Sequence, residues 1–184
     1  GERIYDRASE LRAAKLAWAP IVERLQQPHC RWIHGNHDTL LAEDGVPSSR
    51  RMHFDGLTLE LHHGHLFGRI SPMLEPIKYP IKWIAGRSQR KGGRLGDLLY
   101  KINDTLSEAP DDPNRHSSTG RGALKRLKAN PELDLVICGH DHIPRVDVTP
   151  EGIYANSGTC GYGRMDWLSI DTASKSVTIH NGTT

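Results

Sequence analysis

A mixed α/β layered fold is predicted for this 184-residue chain by the order of its elements. An amphipathic helical stretch leads into a short apolar strand, and a hairpin follows. After a second helix the chain runs out in a succession of short strands. Helix–strand alternation giving way to a run of strands is the pattern of a layered α/β domain.

Each element has a local reason. From about Ser9 to Gln27, the residues Leu11, Leu16, Trp18, Ile21, Val22 and Leu25 trace one helical stripe, with Pro20 a mild interruption. Pro28 ends that helix, and Cys30 to His34 read as a short buried strand entering Gly35. Arg51–Phe54 and Leu57–His63 form a hairpin around Asp55-Gly56, a dipeptide suited to a tight turn. Leu57, Leu59 and Leu61 alternate with Thr58 and Glu60, as a half-buried strand requires. A helix is expected near Ser117–Ala129, then a buried strand over Leu133–Cys138. Short strands follow at Arg145–Val148, Gly152–Ala155, Asp166–Ile170 and Ser176–His180.

Between Leu66 and Arg115 the texture changes. Prolines at 72, 76, 80, 110 and 113 alternate with helical stretches, so residues 66–115 read as a helical insertion with mobile loops within one domain spanning 1–184. Met52, Met73 and Met165 are expected to fill the core, and Cys138 to be a buried small hydrophobe. Cys160 is assigned a structural role near Asn156–Gly158. His29, His53, His116 and His180 are assigned to the surface or to structural contacts.

Composition excludes several classes. No apolar run approaches the roughly 20 residues that a membrane-spanning helix needs. The start, GERIYDRASELR, lacks the layout of a secretion signal. Three scattered cysteines cannot make a disulfide framework, which favours a reducing, cytoplasmic setting. A net charge of +2 argues against a general nucleic-acid coat. The unusual feature is histidine: of eleven, seven fall in three short segments.

Those segments carry the chemistry. They are Ile33-His34-Gly35-Asn36-His37-Asp38, Leu61-His62-His63-Gly64-His65 and Ile137-Cys138-Gly139-His140-Asp141-His142. Each follows an apolar strand, and strand ends in open α/β sheets converge on one crevice. Imidazole, carboxylate and amide oxygen suit borderline divalent metals such as Zn, Mn and Fe. Glycine beside each candidate ligand lets the backbone turn sharply and approach an ion.

GNHD, HGH and GHDH, in this order after strands, resemble three motifs of the calcineurin-like metallophosphoesterases. Tyr154-Ala155-Asn156-Ser157-Gly158 and the length of the insertion are also similar to the branch that contains UDP-2,3-diacylglucosamine pyrophosphatase. The resemblance implies an α/β/β/α sandwich, here lacking its N-terminal strand, and a dinuclear site holding two divalent ions (Mn, Zn or Fe). It implies that Asn36, His63 and His140 ligate one metal and His142 the second. His63 is preferred to His65 because the family ligand directly precedes glycine. His37 would act on the substrate phosphate as a catalytic residue, with Asp38 orienting it. The family's two earlier motifs, Asp-x-His and Gly-Asp, are not found before Gly35; their residues are expected upstream of Gly1, with Glu2 the alternative bridging carboxylate.

The implied activity is hydrolysis of a phosphate ester or pyrophosphate bond by a metal-activated hydroxide. The alternatives are a nuclease-type phosphodiesterase and a non-catalytic interaction scaffold on the same fold. Residues 87–101 hold Arg87, Arg90, Lys91, Arg94 and Lys101 against Asp97. Arg87, Arg90 and Arg94 are therefore expected to bind substrate, since guanidinium groups hold phosphate oxygens through paired hydrogen bonds. With apolar neighbours such as Trp83, Leu95 and Leu98, the insertion reads as a lid for a phosphorylated small molecule or lipid-like substrate. Nucleic acid ranks below it as a partner, and the insertion is also the candidate for peripheral membrane contact.

Overall fold

The computed structural model describes residues 7–36, 38–67, 116–161 and 163–183. The insertion assigned to 66–115 therefore lies almost wholly outside the described residues, as do His37, Arg87, Arg90, Arg94 and Met73.

The first helical stretch is two helices. α1 spans Arg7–Ala17 and α2 spans Ala19–Leu25, with Trp18 between them out of helical conformation. Pro20 sits in the first turn of α2, where its missing N–H costs nothing; in a continuous helix it would clash with the preceding turn. The break disperses the predicted stripe: Leu11 is buried, whereas Leu16, Trp18 and Ile21 are more than half exposed. Residues 30–34, expected as a strand, form none. Among the described residues, Cys30 N bonds to Gln27 O and His34 N to Pro47 O, both at 2.9 Å, a local turn and a single cross-link rather than a ladder. A 3₁₀ turn, Thr39–Asp44, follows and packs on α1, where Lys15 pairs with Asp44.

β1 (Ser49–Phe54) and β2 (Leu57–His62) form the expected hairpin, with Phe54 opposite Leu57. Asp55 and Gly56 both have positive φ, at 46° and 81°, the conformation that a two-residue primed turn demands. A short 3₁₀ turn, His65–Phe67, follows β2. α3 (Ser118–Ala129) leads to β3 (Leu135–Cys138), β4 (Arg145–Thr149) and β5 (Gly152–Asn156). β6 (Arg164–Asp171) and β7 (Ser176–Thr183) close the chain.

The larger sheet has the order β1-β2-β3-β5-β4; β2, β3 and β5 run parallel at its centre, and β6 and β7 form a second, antiparallel sheet. Strand alternation then builds two cores. On one face, Leu57, Leu59, Leu135 and Ala155 meet Leu168, Ile170 and Val177 of the second sheet. On the other, Val136, Cys138 and Tyr154 meet Ala123 and Leu127 of α3. β3, buried on both faces, reads as unbroken apolar Leu-Val-Ile-Cys for that reason. The mixed α/β layered fold is as predicted; of the expected α/β/β/α layers, the described residues show α3, the larger sheet and the second sheet stacked in that order. Met52 packs at the core as expected, but Met165 is 49% exposed, because it lies on the outward side of β6 beside Trp167. No described helix is long and apolar enough to cross a membrane.

Candidate functional site

The parallel strands β2 and β3 end side by side, so the segments after them are neighbours. Gly139 N donates to His63 O at 3.1 Å, joining the HHGH and GHDH loops through their backbones. The GNHD turn reaches them from outside the ladder. Asp38 Oδ1 accepts from Gly35 N at 2.5 Å and closes that turn, and Asn36 Oδ1 lies 2.8 Å from His63 Nε2. The three motifs, spread over about a hundred residues of sequence, are thus one cluster.

Its rings are close. His63 and His140 have centroids 5.1 Å apart, His63 and His65 5.3 Å, and His65 and His140 6.2 Å. Imidazoles sharing one tetrahedral ion stand about 5 Å apart ring to ring, given metal–nitrogen bonds near 2.0–2.1 Å. His65, set aside in favour of His63 on the sequence, therefore belongs to the same cluster. His142 is exposed at the far end of its turn, and among the described residues it pairs with no other ring. Asp38 faces solvent, and its expected contact with His37 lies outside the described residues.

Close approach is built into the backbone. A Cβ on Gly35 would stand 2.7–2.8 Å from three atoms of the His63 ring, so any larger residue would displace the imidazole. Gly64 has φ +110°, and a Cβ there would meet Thr119 Cγ2 at 2.6 Å. His140 and His142 themselves have φ of 70° and 60°, left-handed values that are uncommon outside glycine and cost on the order of 1 kcal/mol each. Such conformations persist where surrounding bonds over-determine them. Here Asn156 Nδ2 donates to Gly139 O at 2.9 Å, Gly158 N donates to Asn156 Oδ1 at 3.0 Å, and the Ser117 hydroxyl donates to Asp141.

On β2, just ahead of His63 in sequence, lies a buried charged group that sequence reading missed. Glu60, on β2 and almost fully buried, accepts from Arg126 Nε at 3.1 Å and Arg51 Nη2 at 3.1 Å, and lies 2.6 Å from His62 Nε2. Burial alone pushes the Glu60 carboxyl pKa up, but the hydrogen bonds from Arg126, Arg51 and His62 outweigh it and hold the group below the usual carboxylate value. Burial lowers the His62 pKa despite Glu60, so that ring favours the neutral form. The only signal in the sequence was a glutamate within an alternating apolar strand. Burial likewise raises the Cys138 thiol, which sits 1% exposed among apolar neighbours and is a core residue as predicted. Cys160 is exposed, its Sγ 3.5 Å from Asp166 O.

Asn36 and the three imidazoles supply one amide oxygen and ring nitrogens, the donor chemistry of a borderline divalent cation. Two atoms with lone pairs, Asn36 Oδ1 and His63 Nε2, approach to 2.8 Å; either a ring proton or a shared cation can hold them there. The set fits an ion in the chemistry of its donors. Among the described residues, no group of three or more histidine, cysteine, aspartate or glutamate side chains is placed so that together it could hold a metal ion.

Comparison with solved structures finds distant likenesses. A hypothetical protein from Pyrococcus horikoshii OT3 is 11% identical, with a TM-score of 0.43, covering 86% of this chain and 45% of its own. A protein from Thermotoga maritima is 19% identical (TM-score 0.36; 83% and 64% covered). Vacuolar Protein Sorting 29 from Cryptosporidium parvum is 13% identical (TM-score 0.33; 76% and 58% covered). The chain thus spans less than two thirds of the length of each of these structures. No curated protein is significantly similar in sequence. The family profile of the calcineurin-like phosphoesterases matches residues 4–144, a stretch that takes in all three histidine motifs. The chain belongs to the calcineurin-like phosphoesterase family.

Proposed function

We propose that this protein is a metal-dependent hydrolase of phosphate esters or pyrophosphate bonds, and that its ions are held at the junction of the three histidine motifs. Asn36, His63 and His140 would hold one divalent cation and His142 would serve a second. When bound, such ions supply Lewis acidity toward phosphate oxygens and an activated nucleophile near neutral pH. The chain's own residues do the remaining work. His37 stabilises charge on the phosphate or protonates the leaving group, and Asp38 orients it. Arg87, Arg90 and Arg94 gather the anionic substrate.

The observation that supports this reading best is the Asn36–His63 contact at 2.8 Å with His140 against the same ring. Polar side chains from three separate loops meet there. The substrate class favoured by the basic, apolar-bearing insertion is a phosphorylated amphiphile or nucleotide-diphosphate conjugate, as in the branch that the sequence resembles.

The test is hydrolysis of a phosphomonoester, a phosphodiester and a nucleoside-diphosphate conjugate, with Mn²⁺ or Zn²⁺ added, against a chelator control. Chelator-sensitive turnover that His140→Ala abolishes is expected. Metal binding without turnover on any of the three would favour the interaction scaffold instead. Preference for single-stranded or duplex DNA would favour the nuclease.

A further inference from the structure

We propose that Ser117 and Asp141 form a positioning pair that sets the ion-binding turn from the N-terminus of α3, an inference that rests on the reading of His140 and His142 as ligands. Asp141 lies between the two histidines, yet it points inward and is only 7% exposed. Its carboxylate accepts from the Ser117 hydroxyl. The same Ser117 oxygen accepts from Gly120 N at 3.0 Å, capping α3. One hydroxyl therefore ties a rigid helix to a turn whose two histidines both hold left-handed φ values.

Each part of the link has a reason. α3 is fixed by Ala123 and Leu127, both fully buried against β3 and β5, so its first turn is a firm anchor. The helix N-terminus is the positive end of the helix dipole, which offsets the cost of burying a carboxylate there. A cap needs only the oxygen's acceptance from Gly120 N; the donated bond to Asp141 is additional and serves the turn. From the opposite side Asn156 Nδ2 holds Gly139 O, so the segment from Gly139 to Asp141 is gripped at both ends, with His140 between the two holds and His142 directly after the second. Residues that orient ligands in this way typically change metal affinity by 10–100-fold when removed.

The experiment compares the unmodified protein with Ser117→Ala, Ser117→Thr, Asp141→Asn and His140→Ala. Hydrogen exchange of the backbone amides at 139–142 is followed in metal-free protein, and Co²⁺ binding is followed by its visible absorption. Faster exchange in Ser117→Ala and Asp141→Asn is expected, with Co²⁺ affinity reduced roughly 10–100-fold and an altered absorption band. Ser117→Thr, which keeps the hydroxyl, should restore both. Unchanged exchange in Ser117→Ala and Asp141→Asn overturns the pair whatever the metal does. Loss of Co²⁺ in His140→Ala with unchanged binding in Ser117→Ala and Asp141→Asn overturns this inference alone. Unchanged Co²⁺ binding in His140→Ala overturns the metal reading of the site, and this inference with it.

Discussion

Asn36 Oδ1 meets His63 Nε2 at 2.8 Å across 27 residues of sequence and from outside the strand ladder that carries His63. Asn36 and its neighbour His37 divide the proposed roles, one toward the metal and one toward the phosphate. Asn36→Ala should weaken retention of Mn²⁺ or Zn²⁺ by at least about tenfold and lower the rate with it. His37→Ala should instead reduce turnover by roughly 10²–10⁴-fold with metal content nearly unchanged, because its role lies in the transition state. Metal analysis beside kcat and kcat/KM checks both. Metal lost first in His37→Ala would reverse the assignment.

Gly35 should be intolerant of even one added methyl. The new Cβ in Gly35→Ala would stand 2.7–2.8 Å from the His63 ring, so the ring must move or the GNHD turn must open. Thermal unfolding should show a loss of about 1–3 kcal/mol, the usual cost of overpacking. Cation affinity should fall alongside it. Wild-type stability together with wild-type affinity would mean that the turn and the ring are not in contact.

The Glu60 network sets an acid limit on stability. Its carboxyl pKa is held below the ordinary value by Arg126, Arg51 and His62, against the effect of burial. A depressed folded-state pKa contributes stability that is fully present above the unfolded value, about 4.3, and is lost as pH falls through the lower folded value. Glu60→Gln should cost roughly 1–3 kcal/mol at neutral pH, the scale of charge-assisted hydrogen bonds. The gap from wild type should then shrink below about pH 4.3. Urea unfolding across pH 3–7 would measure it; a constant gap would remove Glu60 from the acid response.

Where local chemistry decided the structure, the sequence was readable. Asp55-Gly56 requires two positive φ values, and alternation in Leu57, Leu59 and Leu61 assigns a buried face, so the hairpin's register follows from a few residues. Likewise Ser117 signals the start of α3. The first helix was misread because periodicity carried across Pro20, although the fixed proline ring and missing N–H made Trp18 a break. Residues 30–34 have the composition of a strand, but a strand also needs a ladder partner, and partnership is a tertiary property. Motif residues Asn36, His63 and His140 were legible as a set because unlike polar groups at strand ends have little packing use. Glu60 and Asp141 were not, since their partners Arg126 and Ser117 lie 66 and 24 residues away.

The basic insertion yields a test that is independent of the ions. Replacing Arg87, Arg90 and Arg94 together by Gln should raise KM for a nucleoside-diphosphate conjugate by about tenfold or more, given the strength of guanidinium–phosphate pairs. Hydrolysis of a small phosphate ester should barely change, because it reaches the ions without the insertion. Steady-state kinetics on both substrates separates the outcomes. Equal loss on both, or on neither, would end the lid assignment.

The most direct measurement is metal stoichiometry by equilibrium dialysis for the unmodified protein, His63→Ala and His140→Ala, with circular dichroism to establish that all three are folded. If Asn36, His63 and His140 share one cation, the two variants lose the same ion, and neither retains it at concentrations that saturate the unmodified protein. Full retention by either folded variant would contradict the shared site, and with it the assignment of the three histidine motifs to a single metal centre.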